Sequence, residues 1–352
     1  MDLHELGWND GFQRCFDALA GNDYTVGRVA AEFKHLYRVY YEHGELLATV
    51  SGKLRHTAQG REAFPAVGDW VAMTLSGHEQ AVIHDILPRK SKFSRKAAGL
   101  VTDEQIVAAN IDTVFLVNAL NHDFNARRIE RYLTLTWDSG ASPVVVLTKA
   151  DLCDDVEAAI RRVEEVAIGV AVHAISCVTG EGLDELAPYI ATGHTVALLG
   201  SSGAGKSTIV NRLLGTEVQR TQEVRQGDDR GRHTTTYREL IPMPGGGLLI
   251  DTPGMRELQL WGTDEGLADA FGDITQLASQ CRFHDCSHRN EPGCAVQEAL
   301  RWGRLDPSRY ENYVKLQKEQ AYLARKENIR ELLAEKNRWK KIISQYNKAH
   351  KR

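Results

Sequence analysis

No stretch of the 352-residue chain approaches the ~18 consecutive apolar residues that a membrane helix needs. The opening Met-Asp-Leu-His-Glu-Leu carries none of the pattern of a secretory signal. Membrane function is set aside on these grounds, and a cytoplasmic location is expected. Cysteine is scarce as well: there are six, and three of them crowd into residues 281–294. Without a secretion signal, that crowding favours a metal site in a reducing compartment over a disulfide framework. Net charge is a mere −4, but the mean hides a division. Residues 308–352 hold thirteen Lys/Arg against five Asp/Glu, and the rest of the chain holds thirty against forty-two. A basic tail on an acidic body points to a polyanionic partner. The length allows two or three domains with cores of their own.

The richest stretch is Gly-Ser-Ser-Gly-Ala-Gly-Lys-Ser over Gly200–Ser207. It fits the phosphate-loop pattern of Gly, four residues, then Gly-Lys-Ser/Thr. Thr195–Leu199 reads as a short buried strand entering the loop, and the chain from Thr208 reads as a helix that stops at Gly215. Gly200, Ser201, Ser202, Gly203, Ala204 and Gly205 are expected to wrap phosphate oxygens with backbone N–H groups, aided by the helix N-terminus. Lys206 is expected to reach the β- and γ-phosphates, Ser207 to ligate Mg²⁺, and Thr208 to stand beside them.

Three further motifs each end an apolar strand. Leu248–Gly254 ends in Asp-Thr-Pro-Gly, which places Asp251 near Mg²⁺ and Gly254 near the γ-phosphate. Val144–Asp151 ends in Thr148-Lys149-Ala-Asp151, a guanine-reading pattern. A carboxylate accepts from both N1–H and the 2-amino group of guanine, and adenine offers no such pair. Ser176–Gly180 resembles the Ser-Ala-x-x-Gly loop beside the guanine oxygen, with Cys177 in place of Ala. The guanine motifs precede the phosphate loop, the reverse of the usual order. The GTPase domain, residues 96–270, therefore reads as circularly permuted, with a mostly parallel sheet and its sites at strand C-termini.

Gly215–Tyr237 is long, polar, glycine-bearing and without hydrophobic period, as a switch loop is. Within it lies Arg-Gly-Arg-His-Thr-Thr-Thr. Thr234 or Thr235 is the candidate for completing Mg²⁺ coordination. The sequence does not choose between them, and Thr235 is carried forward as ligand. Many GTPases orient the attacking water with a Gln after Asp-x-x-Gly. Met255 holds that position here, so His233 becomes the candidate for that task.

Residues 1–26 read as an N-terminal extension with some helical character. Residues 27–95 show five short alternating segments, the signature of a five-stranded barrel of the OB type. Such barrels bind single-stranded nucleic acid, and Tyr37, Arg38, Tyr40, Lys53, Arg55, His56 and Arg61 are the candidates for contact. Lys90–Lys96 reads as a basic linker. Residues 271–352 hold Cys281, Cys286, His288 and Cys294, a Cys₃His set suited to one structural Zn²⁺, with His284 as an alternative ligand. A long basic helical tail follows, suited to RNA phosphates.

The order Thr148-Lys-x-Asp151, Ser176-x-x-x-Gly180, Gly200-x-x-x-x-Gly-Lys-Ser207, Asp251-Thr-Pro-Gly254, with a barrel before it and Cys-x₄-Cys-x-His-x₅-Cys after it, resembles the RsgA/YjeQ family. The resemblance covers roughly residues 27–320, and includes Gly231–Thr236 and the hydrophobic Met255. It implies a GTPase that binds GTP/GDP, Mg²⁺ and zinc. It further implies action in late maturation of the small (30S) ribosomal subunit on 16S rRNA, with hydrolysis stimulated by the subunit. A monomer is expected. Two rivals are weaker. Intact Lys206, Ser207 and Asp251 argue against an RNA-binding factor with a vestigial nucleotide site, and Asp151 argues against an ATP-using enzyme.

Overall fold

The computed structural model describes residues 1–19, 23–34, 36–58, 60–77, 79–96, 104–121, 124–215, 238–251, 264–322 and 325. It divides into two units, Met1–Gln259 and Leu260–Arg352.

The first unit begins with α1 (Asp10–Asp17), whose N-cap Asn9 accepts from the N–H groups of Gly11 and Phe12. Trp8 and Phe12 are buried against Trp70, with ring centroids 4.8 and 5.9 Å away. The segment read as an extension thus packs on the barrel. Five strands follow: β1 (Thr25–Phe33), β2 (Leu36–Tyr41), β3 (Gly44–Val50), β4 (Trp70–Leu75) and β5 (Gln80–Ile86). Pairings β1–β2, β2–β3, β3–β5, β5–β4 and β4–β1 close them into a barrel, and β3–β5 is its parallel pair. Alternation in the sequence puts Val29, Val39, Leu46, Ala48, Val71, Met73 and Ile83 inside. Tyr37 and Tyr40, read as nucleic-acid contacts, are buried. Lys53, Arg55, His56 and Arg61 are exposed on the short α2 (Gly52–Thr57) and the turn after it.

Lys92–Lys96 forms β6, antiparallel to β7 (Glu104–Ala109), so most of the stretch read as a linker is one arm of a ribbon. Phe93 is its buried apolar residue. Then come β8 (Thr113–Ala119), α3 (Ala126–Ser139), β9 (Ser142–Thr148), α4 (Val156–Glu164), β10 (Val172–Ala174), β11 (Thr195–Gly200), α5 (Lys206–Leu214), β12 (Glu239–Pro242) and β13 (Leu248–Asp251). Gly215 caps α5 in the left-handed region at φ 66°. Leu183–Ile190 is 3-10 in form and contains Pro188, which lacks the N–H that a longer α-helix needs. Strands β10, β9, β8, β11 and β13 are mutually parallel, and β12 runs antiparallel to β13. β12 also pairs with β1, so barrel and nucleotide sheet form one eleven-stranded sheet in the order β10-β9-β8-β11-β13-β12-β1-β2-β3-β5-β4.

Arg28 of β1 is 1% exposed and ties three segments together. It donates to Leu6 O at 2.5 Å, Gly68 O at 3.2 Å and Asn110 O at 3.0 Å. Burial holds its pKa down to about 10, partly offset by Asp112 and Asp69.

The second unit holds α6 (Asp264–Ala270), α7 (Gly272–Ser279), α8 (Ala295–Arg301) and a helix over 307–322. Arg309 lies 4.8 Å over the Phe271 ring and makes a forked pair with Asp273 at 2.7 and 2.9 Å. The residues of the basic tail beyond 325 lie outside the described residues.

Candidate functional site

The nucleotide motifs line one rim of the parallel sheet. β11 ends at Gly200, β9 at Thr148, β13 at Asp251, and β10 two residues before Ser176. This is the edge at which open α/β sheets bind ligands.

Gly200 is glycine for want of space: a Cβ there would lie 2.3 Å from Val117 O of β8. Gly203 and Gly205 are left-handed, at φ 76° and 94°. Lys206 Nζ donates to Gly200 O at 2.7 Å and Ser201 O at 2.6 Å, which tethers the ammonium within its own loop. α5 starts at Lys206, with Ser207 and Thr208 in its first turn, so its positive end adjoins the loop. A glycine-lined turn, an ammonium and a helix N-terminus form the donor set for a polyphosphate.

The guanine half is bound to this loop directly. Thr148 Oγ1 donates to Ala204 O at 2.6 Å. Sequence reasoning missed this link, because an isolated Thr in a Thr-Lys-x-Asp pattern does not disclose its partner. Lys149 sits in the left-handed region at φ 60°. Ser176 Oγ donates to Asp151 Oδ1 at 2.6 Å and accepts from the N–H groups of Val178 and Thr179, each at 3.2 Å. The Ser176 loop and the Asp151 loop are thus one hydrogen-bonded platform. Arg212 Nε of α5 donates to Cys177 O at 2.9 Å, the second link between the halves. Burial raises the Cys177 thiol pKa, Asp151 adds to this and Arg212 opposes it, so Cys177 serves as a neutral, small side chain. Asp251 closes β13 directly opposite Glu239 of β12. His233, Thr234, Thr235, Gly254 and Met255 lie outside the described residues.

In the second unit, ligand atoms of Cys281, Cys286, His288 and Cys294 all lie within 4.8 Å of one another. Cys281 Sγ and Cys294 Sγ are 3.8 Å apart, and His288 Nδ1 is 3.5 Å from each. Zinc–sulfur bonds of about 2.3 Å at the tetrahedral angle put sulfurs ~3.8 Å apart, so the donor set fits zinc. His284 is not in the cluster. His288 is held at φ 57° while its carbonyl accepts from Gln297 Nε2 at 2.6 Å and Tyr310 Oη at 3.1 Å. These two supports have no spacing signature in the sequence.

Residues 86–261 match the family model described as RsgA GTPase. A curated relative, "Small ribosomal subunit biogenesis GTPase RsgA" of Opitutus terrae, is 50% identical over 352 residues, spanning 97% of this chain and 96% of that protein. This chain belongs to the RsgA GTPase family. The RsgA protein of Syntrophotalea carbinolica is 44% identical, over 98% of this chain and 97% of its own. Two solved structures share the architecture. YjeQ from Thermotoga maritima is 30% identical with a TM-score of 0.64, covering 85% of this chain and 99% of that one. YloQ, described as a circularly permuted GTPase, is 26% identical with a TM-score of 0.62, covering 86% and 96%. The reversed motif order is therefore the RsgA permutation, and this RsgA-family chain is a GTP-hydrolysing enzyme that uses guanine nucleotide and Mg²⁺.

Proposed function

We propose that this GTPase acts in late maturation of the small (30S) ribosomal subunit, which it binds through 16S rRNA and which stimulates its hydrolysis. The observation that carries the reading is 50% identity, over 97% of this chain, to a protein named for small-subunit biogenesis, together with strands β9, β11 and β13 ending at Thr148, Gly200 and Asp251 on one rim. The enzyme works in the cytoplasm as a monomer. Among the described residues no helix is long and apolar enough to cross a membrane. Its working parts are an extension over 1–26, a barrel over 27–95, the permuted GTPase over 96–270 and a zinc-binding part with its tail over 271–352.

Bound GTP supplies the phosphoanhydride and Mg²⁺ neutralises charge on its oxygens. Asp151 accepts from the guanine edge while Ser176 holds its carboxylate in place. Lys149 covers the base. Residues 200–205 wrap the phosphates, Lys206 reaches the β- and γ-oxygens, and Thr208 stands in the same helical turn. Ser207 and Thr235 are the metal-ligating hydroxyls, Asp251 stands on the metal side, and Thr234 and Gly254 sense the γ-phosphate. His233 orients the attacking water, a task that Met255 leaves open. Cys281, Cys286, His288 and Cys294 hold one structural Zn²⁺.

GTP turnover is to be measured with the protein alone, with small subunits and with large subunits. Stimulation by small subunits alone is expected. Equal turnover in all three would refute the subunit-gated reading.

A further inference from the structure

Barrel and nucleotide sheet meet along one row of residues. Ala31 of β1 pairs with Arg38 of β2 on one side and with Glu239 of β12 on the other, and Glu239 pairs with Asp251. Arg38, Ala31, Glu239 and Asp251 thus cross four neighbouring strands, and directly opposed residues present their side chains to one face. Over the small methyl of Ala31, Arg38 reaches Glu239 and forms an ion pair. A second pair runs the opposite way, with Arg238 Nη1 3.7 Å from Glu32 Oε2. Two adjacent residues at the start of β12 are therefore each tied to the barrel by charge.

The two ties differ. The Arg238 side chain is 13% exposed, whereas those of Arg38 and Glu239 are 27% and 39% exposed. Arg38 meets Glu239 through one Nη, and its Nε is buried without a partner. A guanidinium that engages one oxygen lacks the two-pronged contact that makes such pairs strong, and a phosphate offers that contact. Arg61 and Arg95 act on Glu32 together with Arg238, so arginines gather on the barrel side of this junction. A phosphodiester strand is the partner with the matching charge.

We propose that an RNA phosphate displaces Glu239 from Arg38, and that this exchange frees the start of β12 and resets Asp251, its register partner, for hydrolysis. Arg38 and Glu239 are positioning residues for hydrolysis and do not touch the GTP. The exchange rests on the ribosomal reading above for its source of RNA. Linkage fixes the sign: whatever removes Glu239 as competitor strengthens RNA binding.

The test uses the full-length protein and a fluorescein-labelled single-stranded oligoribonucleotide, read by anisotropy. Glu239→Gln is expected to bind about threefold more tightly than wild type, the scale of a partly exposed ion pair. Arg38→Gln is expected to bind about threefold more weakly, and the double variant to match Arg38→Gln alone. Unstimulated GTP turnover rises in both single variants, and the ratio of stimulated to unstimulated turnover falls. The charge-swapped Arg38→Glu/Glu239→Arg protein regains low unstimulated turnover but not RNA affinity. Equal RNA affinity in wild type and Glu239→Gln, or additive effects in the double variant, overturns the exchange. If the single variants melt early, the charge-swapped protein decides, and wild-type RNA affinity there overturns the proposal. A wild-type protein that binds neither the oligonucleotide nor small subunits refutes the ribosomal reading itself and the exchange with it.

Discussion

Replacing Thr148 by Val deletes one hydroxyl and keeps the side chain's shape. Thr148 is 2% exposed, and its Oγ1 makes the 2.6 Å bond to Ala204 O that joins guanine strand to phosphate loop. No cavity is created, so the cost is that of a buried carbonyl losing its donor, about 1–3 kcal/mol. One kcal/mol lowers the melting midpoint of a unit of this size by about 2–4 °C. The midpoint of Thr148→Val should therefore fall by about 2–12 °C in differential scanning fluorimetry. The bond also aligns the two halves that a single nucleotide must bridge. If about 1 kcal/mol of it is felt in the complex, the Kd for GDP rises about fivefold in a titration with a fluorescent GDP analogue. Thr148→Ser, which keeps the hydroxyl, should recover most of that affinity. An unchanged midpoint together with an unchanged Kd in Thr148→Val would refute the claim that this bond couples the halves.

Asp151→Asn exchanges an acceptor for a donor, so GTP binding should weaken by about 100-fold while xanthosine triphosphate, with a carbonyl at the 2-position, gains; competition titrations read both. Cys286→Ser removes one of four donors, and elemental analysis should find about one zinc per chain in the wild type and well under one in the variant. His233→Ala should lower stimulated turnover by about 100-fold with GDP affinity unchanged, since a water-orienting group contributes to the chemical step and not to nucleotide binding.

Much of this was legible in the sequence because the signals were local. The five alternating segments read over residues 27–95 are the five barrel strands, since each has one face inside and one outside. Strand ends were readable too, because the motifs that need a turn carry the glycines that allow it. The misses share a physical cause, namely side chains whose partner is remote in sequence. Lys90–Lys96 reads as a basic linker because its charged residues mask the buried Phe93. Arg28 reads as a surface residue, yet three carbonyls from residues 6, 68 and 110 make it a core residue. Tyr37 and Tyr40 fit a nucleic-acid surface by type, but Tyr37 joins the barrel core and Tyr40 is buried as well. β12 has four residues, ends in Pro242 and has no period of its own; its place is set by β13 and β1 on either side.

That last pairing has a practical consequence. β1 spends its first half on β4, from Thr25 to Arg28, and then, past the irregularity between Val29 and Ala31, turns its other half to β12. A barrel cut out as a fragment would carry that second half as a bare edge, with unpaired N–H and C=O groups ready to recruit any extended chain. Fragments ending near residue 95 are therefore prone to self-association, and dissection of this protein is best done by point substitution in the whole chain.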